Sequence, residues 1–176
     1  MSSSTLSFYC LLFSLTACLI FTSCDSLRND SHPDTFTYSV QNNKHLAIDS
    51  TELQSGDSLK TILRISIEDG NNRVFKYQRT THPAENLMDA GFSESLYFQL
   101  PAEKEQFNYE DEQLTQLDTY YTRSCFCRII GALPVSEGYI KGTKLGGTIW
   151  KIKGSIKTGT TFETREVTID NIFIAQ

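Results

Sequence analysis

Two cysteines flank one phenylalanine, Cys125-Phe126-Cys127, and are the only pair of thiols downstream of residue 24. On a β-strand both sulfurs point to one side, with Cα atoms about 6.6 Å apart, at the upper edge of disulfide geometry. In an oxidising compartment the pair could close a strained bridge. The alternative is two reduced thiols buried on a core face beside Ile129. Metal binding would need two further ligands, which the neighbouring sequence does not supply. His32, His45 and His82 are scattered and form no H-x-x-x-H pairing, so neither a metal site nor a cofactor is expected. No G-x-S-x-G elbow is present, and no Ser-His-Asp set stands out. The sequence therefore reads as non-enzymatic.

Lysines carry the next pattern. Lys141, Lys144, Lys151, Lys153 and Lys157 are close in sequence, and Lys151, Lys153 and Lys157 fall on one face of a strand by period two. Such a face could dock an anionic glycan, a lipid headgroup or an acidic protein. A solvated outer face, where lysine discourages edge pairing, has the same pattern. The acidic run Glu103, Glu105, Glu110, Asp111, Glu112 and Asp118 lacks calcium-loop spacing and reads as solvated surface. Gly142, Gly146 and Gly147 do not make a phosphate loop, because the Lys-Ser/Thr order is wrong. A hairpin turn at residues 145–147 accounts for them.

The elements that must position these residues are strands. Leu63, Ile65 and Ile67 alternate with Arg64, Ser66 and Glu68, and Asp69-Gly70-Asn71-Asn72 then predicts a tight turn. A return strand over 73–79 offers Phe75 and Tyr77, and one over 95–100 offers Leu96, Phe98 and Leu100. Residues 148–157 give the clearest alternation, with Trp150, Ile152 and Ile156 facing inward beside Gly154. Further strands are expected at 35–40, 45–48, 120–130, 138–144 and from 161 to the end, with a break near Asp170-Asn171. One short helix is predicted over 109–119, with Asn108 as cap, Asp111 as its reciprocal partner, and Leu114, Leu117 and Tyr121 on its inner face. The expected fold is all-β and mainly antiparallel, a sandwich or partly open barrel of about eight or nine strands with at most one short helix.

The start of the chain has a different character. Residues 1–23 contain no Asp, Glu, Lys or Arg, and residues 6–21 are mostly apolar. Sixteen helical residues span about 24 Å, less than the roughly 30 Å of a hydrocarbon core, which suits a cleaved signal. Phe21-Thr22-Ser23-Cys24 resembles a lipobox, the site where bacterial lipoproteins are acylated and cleaved. Small Thr22 and Ser23 suit it, Phe21 stands where Leu is usual, and the n-region lacks the usual Lys or Arg. The predicted organisation is a signal peptide over 1–23, a flexible tether over 24–33 from an acylated Cys24, and a single β-rich domain over 34–176.

A lipobox followed by a small β-rich domain resembles the small envelope lipoproteins of Bacteroidetes-type bacteria. In the body the resemblance rests on Gly138-Tyr-Ile-Lys-Gly-Thr-Lys, Thr148-Ile-Trp-Lys-Ile-Lys-Gly and Val167-Thr-Ile-Asp-Asn-Ile-Phe. It implies a membrane-anchored envelope location and no shared activity. Asp25-Ser26-Leu27 and Asp57-Ser58-Leu59 also resemble the Asp-Ser/Thr-apolar O-glycosylation signal of such proteins, which would make Ser26 or Ser58 a carrier of glycan. Two ordinary serines are the alternative.

The chain has 176 residues and a formal charge of -5, which argues against nucleic acid as a partner. Three kinds of function are open, of which an envelope enzyme with no recognisable motif is the least supported. The first is a lipid-anchored interaction domain whose partner is an envelope protein or glycan. The second is a small-ligand carrier with a lipocalin-like cavity lined by Trp150, Phe98 and Tyr77.

Overall fold

The computed structural model describes residues 32–55, 58–82, 91–125, 130–160 and 163–175. Nine strands are present: β1 (His32–Ser55), β2 (Ser58–His82), β3 (Phe92–Pro101), β4 (Gln106–Glu110), β5 (Tyr120–Cys125), β6 (Ile130–Pro134), β7 (Glu137–Gly146), β8 (Ile149–Thr160) and β9 (Glu163–Ala175). They form one sheet in the order β4-β7-β8-β9-β1-β2-β3-β5-β6. Every pairing is antiparallel except a short parallel contact of β1 with β9 at Ser39–Ile174 and Val40–Ala175. The sheet coils until its two halves face each other, and among the described residues the end strands β4 and β6 do not pair. This is the all-β, partly open arrangement that the alternation predicts.

Aromatic side chains fill the space between the halves. Phe75 of β2 stacks on Phe98 of β3 at 4.8 Å and meets Trp150 of β8 edge-on at 5.3 Å. Phe107 of β4 and Phe173 of β9 complete the group. Each such pair adds about 0.5–1.5 kcal/mol beyond its buried area. Trp150, Phe98 and Tyr77, placed by the carrier reading around a lumen, belong to this packed cluster. Gly142 sits mid-strand in β7 directly over Phe107. A Cβ there would lie 2.5 Å from both the Phe107 ring and Ile152, so close packing rather than a turn explains this glycine. The turn itself uses Gly147-Thr148, because Gly146 pairs with Ile149.

Several local expectations are corrected. Residues 69–72 make no hairpin turn, since β2 continues through them. The partner β1 is equally continuous, and the ladder shifts register at Asn42–Lys44, where Asn43 takes a φ of 56°. The bend thus lies in a long hairpin, pinned by Lys44–Asp69 at 2.6 Å and by His45 Nδ1 donating to the Asp69 carbonyl at 2.9 Å. Gly and Asn serve bulges as readily as turns. Beyond the bend, residues 45–55 and 58–68 form an arm that turns back over the outer face of the sheet. The Leu46 N–H donates to Gln99 Oε1 of β3 at 2.9 Å. At the far side a Cβ on Gly131 of β6 would lie 2.8 Å from the Leu63 carbonyl oxygen, so strand and arm touch through bare backbone.

The helix is a 3-10 helix over Asp111–Leu117, capped at Glu110, whose N–H donates to Gln113 Oε1 at 3.3 Å. Asn108 and Tyr109 belong to β4, and Tyr121 to β5. The i,i+3 spacing of Leu114 and Leu117, both fully buried, suits the three-residue turn. The expected 120–130 strand is two elements, with β5 ending at Cys125 and β6 opening at Ile130, and β9 runs through Asp170-Asn171 without a break. β1 opens at His32.

Candidate functional site

The outer face of β4, β7 and β8 carries the lysine pattern. Period two turns Trp150, Ile152, Gly154 and Ile156 inward, all buried, and Lys151, Lys153 and Lys157 outward, all exposed. Across the strands the residues align in rows. Asn108, Lys141, Lys153 and Asp170 form one row, and Gln106, Thr143 and Lys151 the next. Gln106, Asn108, Lys141, Thr143, Lys151 and Lys153 rim a shallow depression of about 580 Å3 over the backbone of Gly142.

Lys141 and Lys153 stand directly opposite each other in the β7–β8 ladder. Like charges at such positions are destabilising. Asp170 of β9 offsets part of this, reaching Lys151 at 2.6 Å and Lys153 at 3.3 Å. Those two contacts hold its carboxyl below the usual aspartate range. Three ammonium groups outnumber Asp170 and Glu110, which accepts from Asn108 Nδ2 at 3.2 Å, and leave the depression positive in a chain that is acidic overall. Gln106, Asn108 and Thr143 add neutral hydrogen-bonding groups on the same surface. The geometry is that of a docking surface for an extended anion bearing hydroxyls.

The other two lysines of the pattern lie elsewhere. Lys144 faces the opposite way and pairs with Glu105 at 2.9 Å, holding that carboxyl below its usual range. Lys157 sits between Glu137 of β7 and Glu166 of β9 in the ladder. Sequence spacing alone found Lys151 and Lys153. It missed Gln106 and Asn108, because β4 is five residues long and adjoins the acidic run.

A second polar group lies inside the fold, at the opposite end of the core from the β7–β8 turn. Glu94 of β3 is 4% exposed, yet it is a carboxylate. Arg79 Nη1 reaches it at 3.3 Å, and the Tyr121 hydroxyl donates to Glu94 Oε2 at 2.9 Å. Arg79 also binds Asp34 of β1 at 2.7 Å, and that hydrogen bond strengthens its hold on its proton. Burial, reinforced by Glu94, pushes the Tyr77 hydroxyl up to about 12 and the Tyr121 hydroxyl higher still. Arg79, Arg123 and Arg165 stack their guanidinium groups around the Phe92 ring at 5.6, 4.5 and 5.9 Å. This layer ties β1, β2, β3, β5 and β9 together at one end of the core.

Cys24, Ser26 and Cys127 lie outside the described residues. Cys125 is the last residue of β5, paired with Phe92, and Ser58 is the first of β2, paired with Ser55. His82 Nε2 is 2.8 Å from Thr35 Oγ1, and His45 serves the bend. Among the described residues no three His, Cys, Asp or Glu side chains converge as metal ligands. No protein-family model, curated protein or solved structure matches this chain.

Proposed function

We propose that this chain is a cell-envelope lipoprotein, held in the membrane by an acylated Cys24, whose β-domain is a non-enzymatic binding module for an acidic glycan. The observation that carries the binding part is the opposition of Lys141 and Lys153 across the β7–β8 ladder, beside Lys151 at the rim of the depression. A ladder that places like charges face to face sacrifices stability, and a polyanion lying across both strands returns it. Gln106, Asn108 and Thr143 supply the hydroxyl-directed hydrogen bonds that an acidic sugar needs in addition to charge. The anchor rests on Phe21-Thr22-Ser23-Cys24. Several acyl chains on one cysteine hold a protein effectively permanently, whereas one chain holds it marginally.

Two measurements on the protein from its native host test the two parts separately. Intact mass should show the chain beginning at Cys24 with acyl chains attached, and Cys24→Ala should abolish labelling by a fatty-acid precursor. An unmodified Cys24 in a membrane-retained chain would remove the anchor. Intact mass also reads any glycan on Ser26 or Ser58, which Ser26→Ala and Ser58→Ala together should eliminate. For the binding part, immobilised polygalacturonate should retain the chain at low salt, and Lys141→Gln with Lys153→Gln should release it. Equal retention of that double variant would remove the glycan reading.

A further inference from the structure

A second cavity, of about 610 Å3, lies between the β1–β2 arm and the outer face of β2, β3, β5 and β6. It is outside the aromatic core, and its size falls within the roughly 300–1,000 Å3 of small-molecule sites. Its two walls differ in chemistry. The arm presents Leu53, Ile62, Leu63 and Ile65. The sheet presents the outward residues of strands whose inward residues are Phe75, Tyr77, Leu96 and Tyr121, and these outward residues are polar. Gln78, Ser95 and Thr122 form one cross-strand row, and Ser93 pairs with Ser124 in the next. Gln78 Nε2 donates to Ser93 Oγ at 3.0 Å, which fixes the amide over this floor.

Charge sharpens the class of ligand. Among the described residues no Asp or Glu lines the cavity, although the chain holds 21 acidic residues against 16 basic ones. Lys76 closes the row next to Gln78, its ammonium 5.6 Å from the centre of the Tyr97 ring, and Arg64 stands on the arm above. Lys76 makes no ion pair with any described residue. A flexible alkyl chain would satisfy the arm and leave the hydroxyls of the floor without partners, and desolvating those hydroxyls costs free energy. A sugar would satisfy the floor and waste the arm. A ligand apolar on one face, hydroxylated on the other and anionic at one end satisfies all three surfaces.

We propose that the space between the β1–β2 arm and the outer face of β3 and β5 binds a small, facially amphipathic anion of the hydroxylated sterol-acid type. Its apolar face lies along Ile62, Leu63 and Ile65, its hydroxyls over Gln78, Ser95 and Thr122, and its carboxylate against Lys76. This site is separate from the lysine face on β4, β7 and β8, and neither proposal depends on the other.

Equilibrium dialysis of labelled cholate, kept below its micellar concentration, against the full chain in phosphatidylcholine vesicles tests this, with protein-free vesicles as blank. Saturable binding at one site per chain is expected. Lys76→Gln should weaken it at least tenfold while the emission of Trp150, which lies in the aromatic core, stays unchanged. Laurate, a carboxylate with no hydroxylated face, should bind at least tenfold more weakly than cholate. Absence of saturable cholate binding, equal affinity of Lys76→Gln, or equal affinity for laurate would each overturn the proposal.

Discussion

Lys141 of β7 and Lys153 of β8 are directly opposed across an antiparallel ladder, and the carboxylate beside them, Asp170, is shared between Lys153 and Lys151. Favourable cross-strand pairs contribute roughly 0.2–1 kcal/mol, and like charges directly opposite are destabilising. Lys141→Thr should therefore stabilise the free protein by a few tenths of a kcal/mol in low salt. The gain should shrink at 1 M salt, where the screening length falls to about 3 Å. Urea denaturation at both salt concentrations reads this directly, and destabilisation at low salt would show that Lys141 has a favourable partner instead.

Breaking the buried charge group should be far more costly. Arg79→Met removes the cation that faces buried Glu94 and should cost about 3–5 kcal/mol. Glu94→Gln preserves the shape and can still accept from Tyr121, so its cost should be clearly smaller. A denaturation midpoint for Arg79→Met equal to that of the parent protein would mean that Glu94 is stabilised by something other than this pair.

Alkaline pH should unfold the domain through its tyrosines. Tyr77 is held protonated up to about 12, and burial, the largest cause, likewise raises Tyr121. In the unfolded chain both ionise near pH 10, as an ordinary tyrosine does at about that value. A raised acid pKa means that stability is fully present below pH 10 and falls as pH rises toward 12. The loss is at most about 1.4 kcal/mol for each tenfold difference in acidity between the folded and unfolded chain. Tyrosinate absorbance should show Tyr77 and Tyr121 ionising late, together with loss of near-UV circular dichroism. Two tyrosines fewer in that late phase in Tyr77→Phe/Tyr121→Phe would confirm the assignment, and an unchanged late phase would contradict it.

Trp150 and Lys151 test the strand register. Trp150 is 1% exposed and Lys151 lies on the outer face. Trp150→Ala should cost about 3–5 kcal/mol, as for a large aromatic removed from a core. Lys151→Ala should stay within about ±0.5 kcal/mol. Emission from the single tryptophan should be blue-shifted and shielded from iodide.

How far the sequence was informative follows from the range of the interactions. β8 was legible because twelve residues bury one face against a filled core, so alternation is continuous from Trp150 to Thr158. The bend at Asn42–Lys44 was not, because Asp69-Gly70-Asn71-Asn72 permits both a turn and a bulge, and the choice is made by β1 on the other strand. β4 was hidden because its five residues bury a single large side chain, Phe107, too few for a period to show. The buried Glu94 was invisible for a different reason. Its partner Arg79 is 15 residues away and Tyr121 is 27, and Arg79 in turn binds Asp34, 45 residues away. No local pattern marks a carboxylate as buried when its partners come from other strands. The lysine face was half legible, since period two fixes Lys151 and Lys153, while the opposition with Lys141 requires the β7–β8 register.

The affinity for polygalacturonate of three forms of the chain tests the binding account most directly. Asp170 occupies Lys151 and Lys153 in the free protein, so Asp170→Asn should release both and tighten binding several-fold, while Lys153→Gln should weaken it. The predicted order is Asp170→Asn tighter than the parent, and the parent tighter than Lys153→Gln, in low-salt titrations of folded protein. Equal affinities across the three forms, or weaker binding by Asp170→Asn, would contradict the assignment of this face as the glycan site.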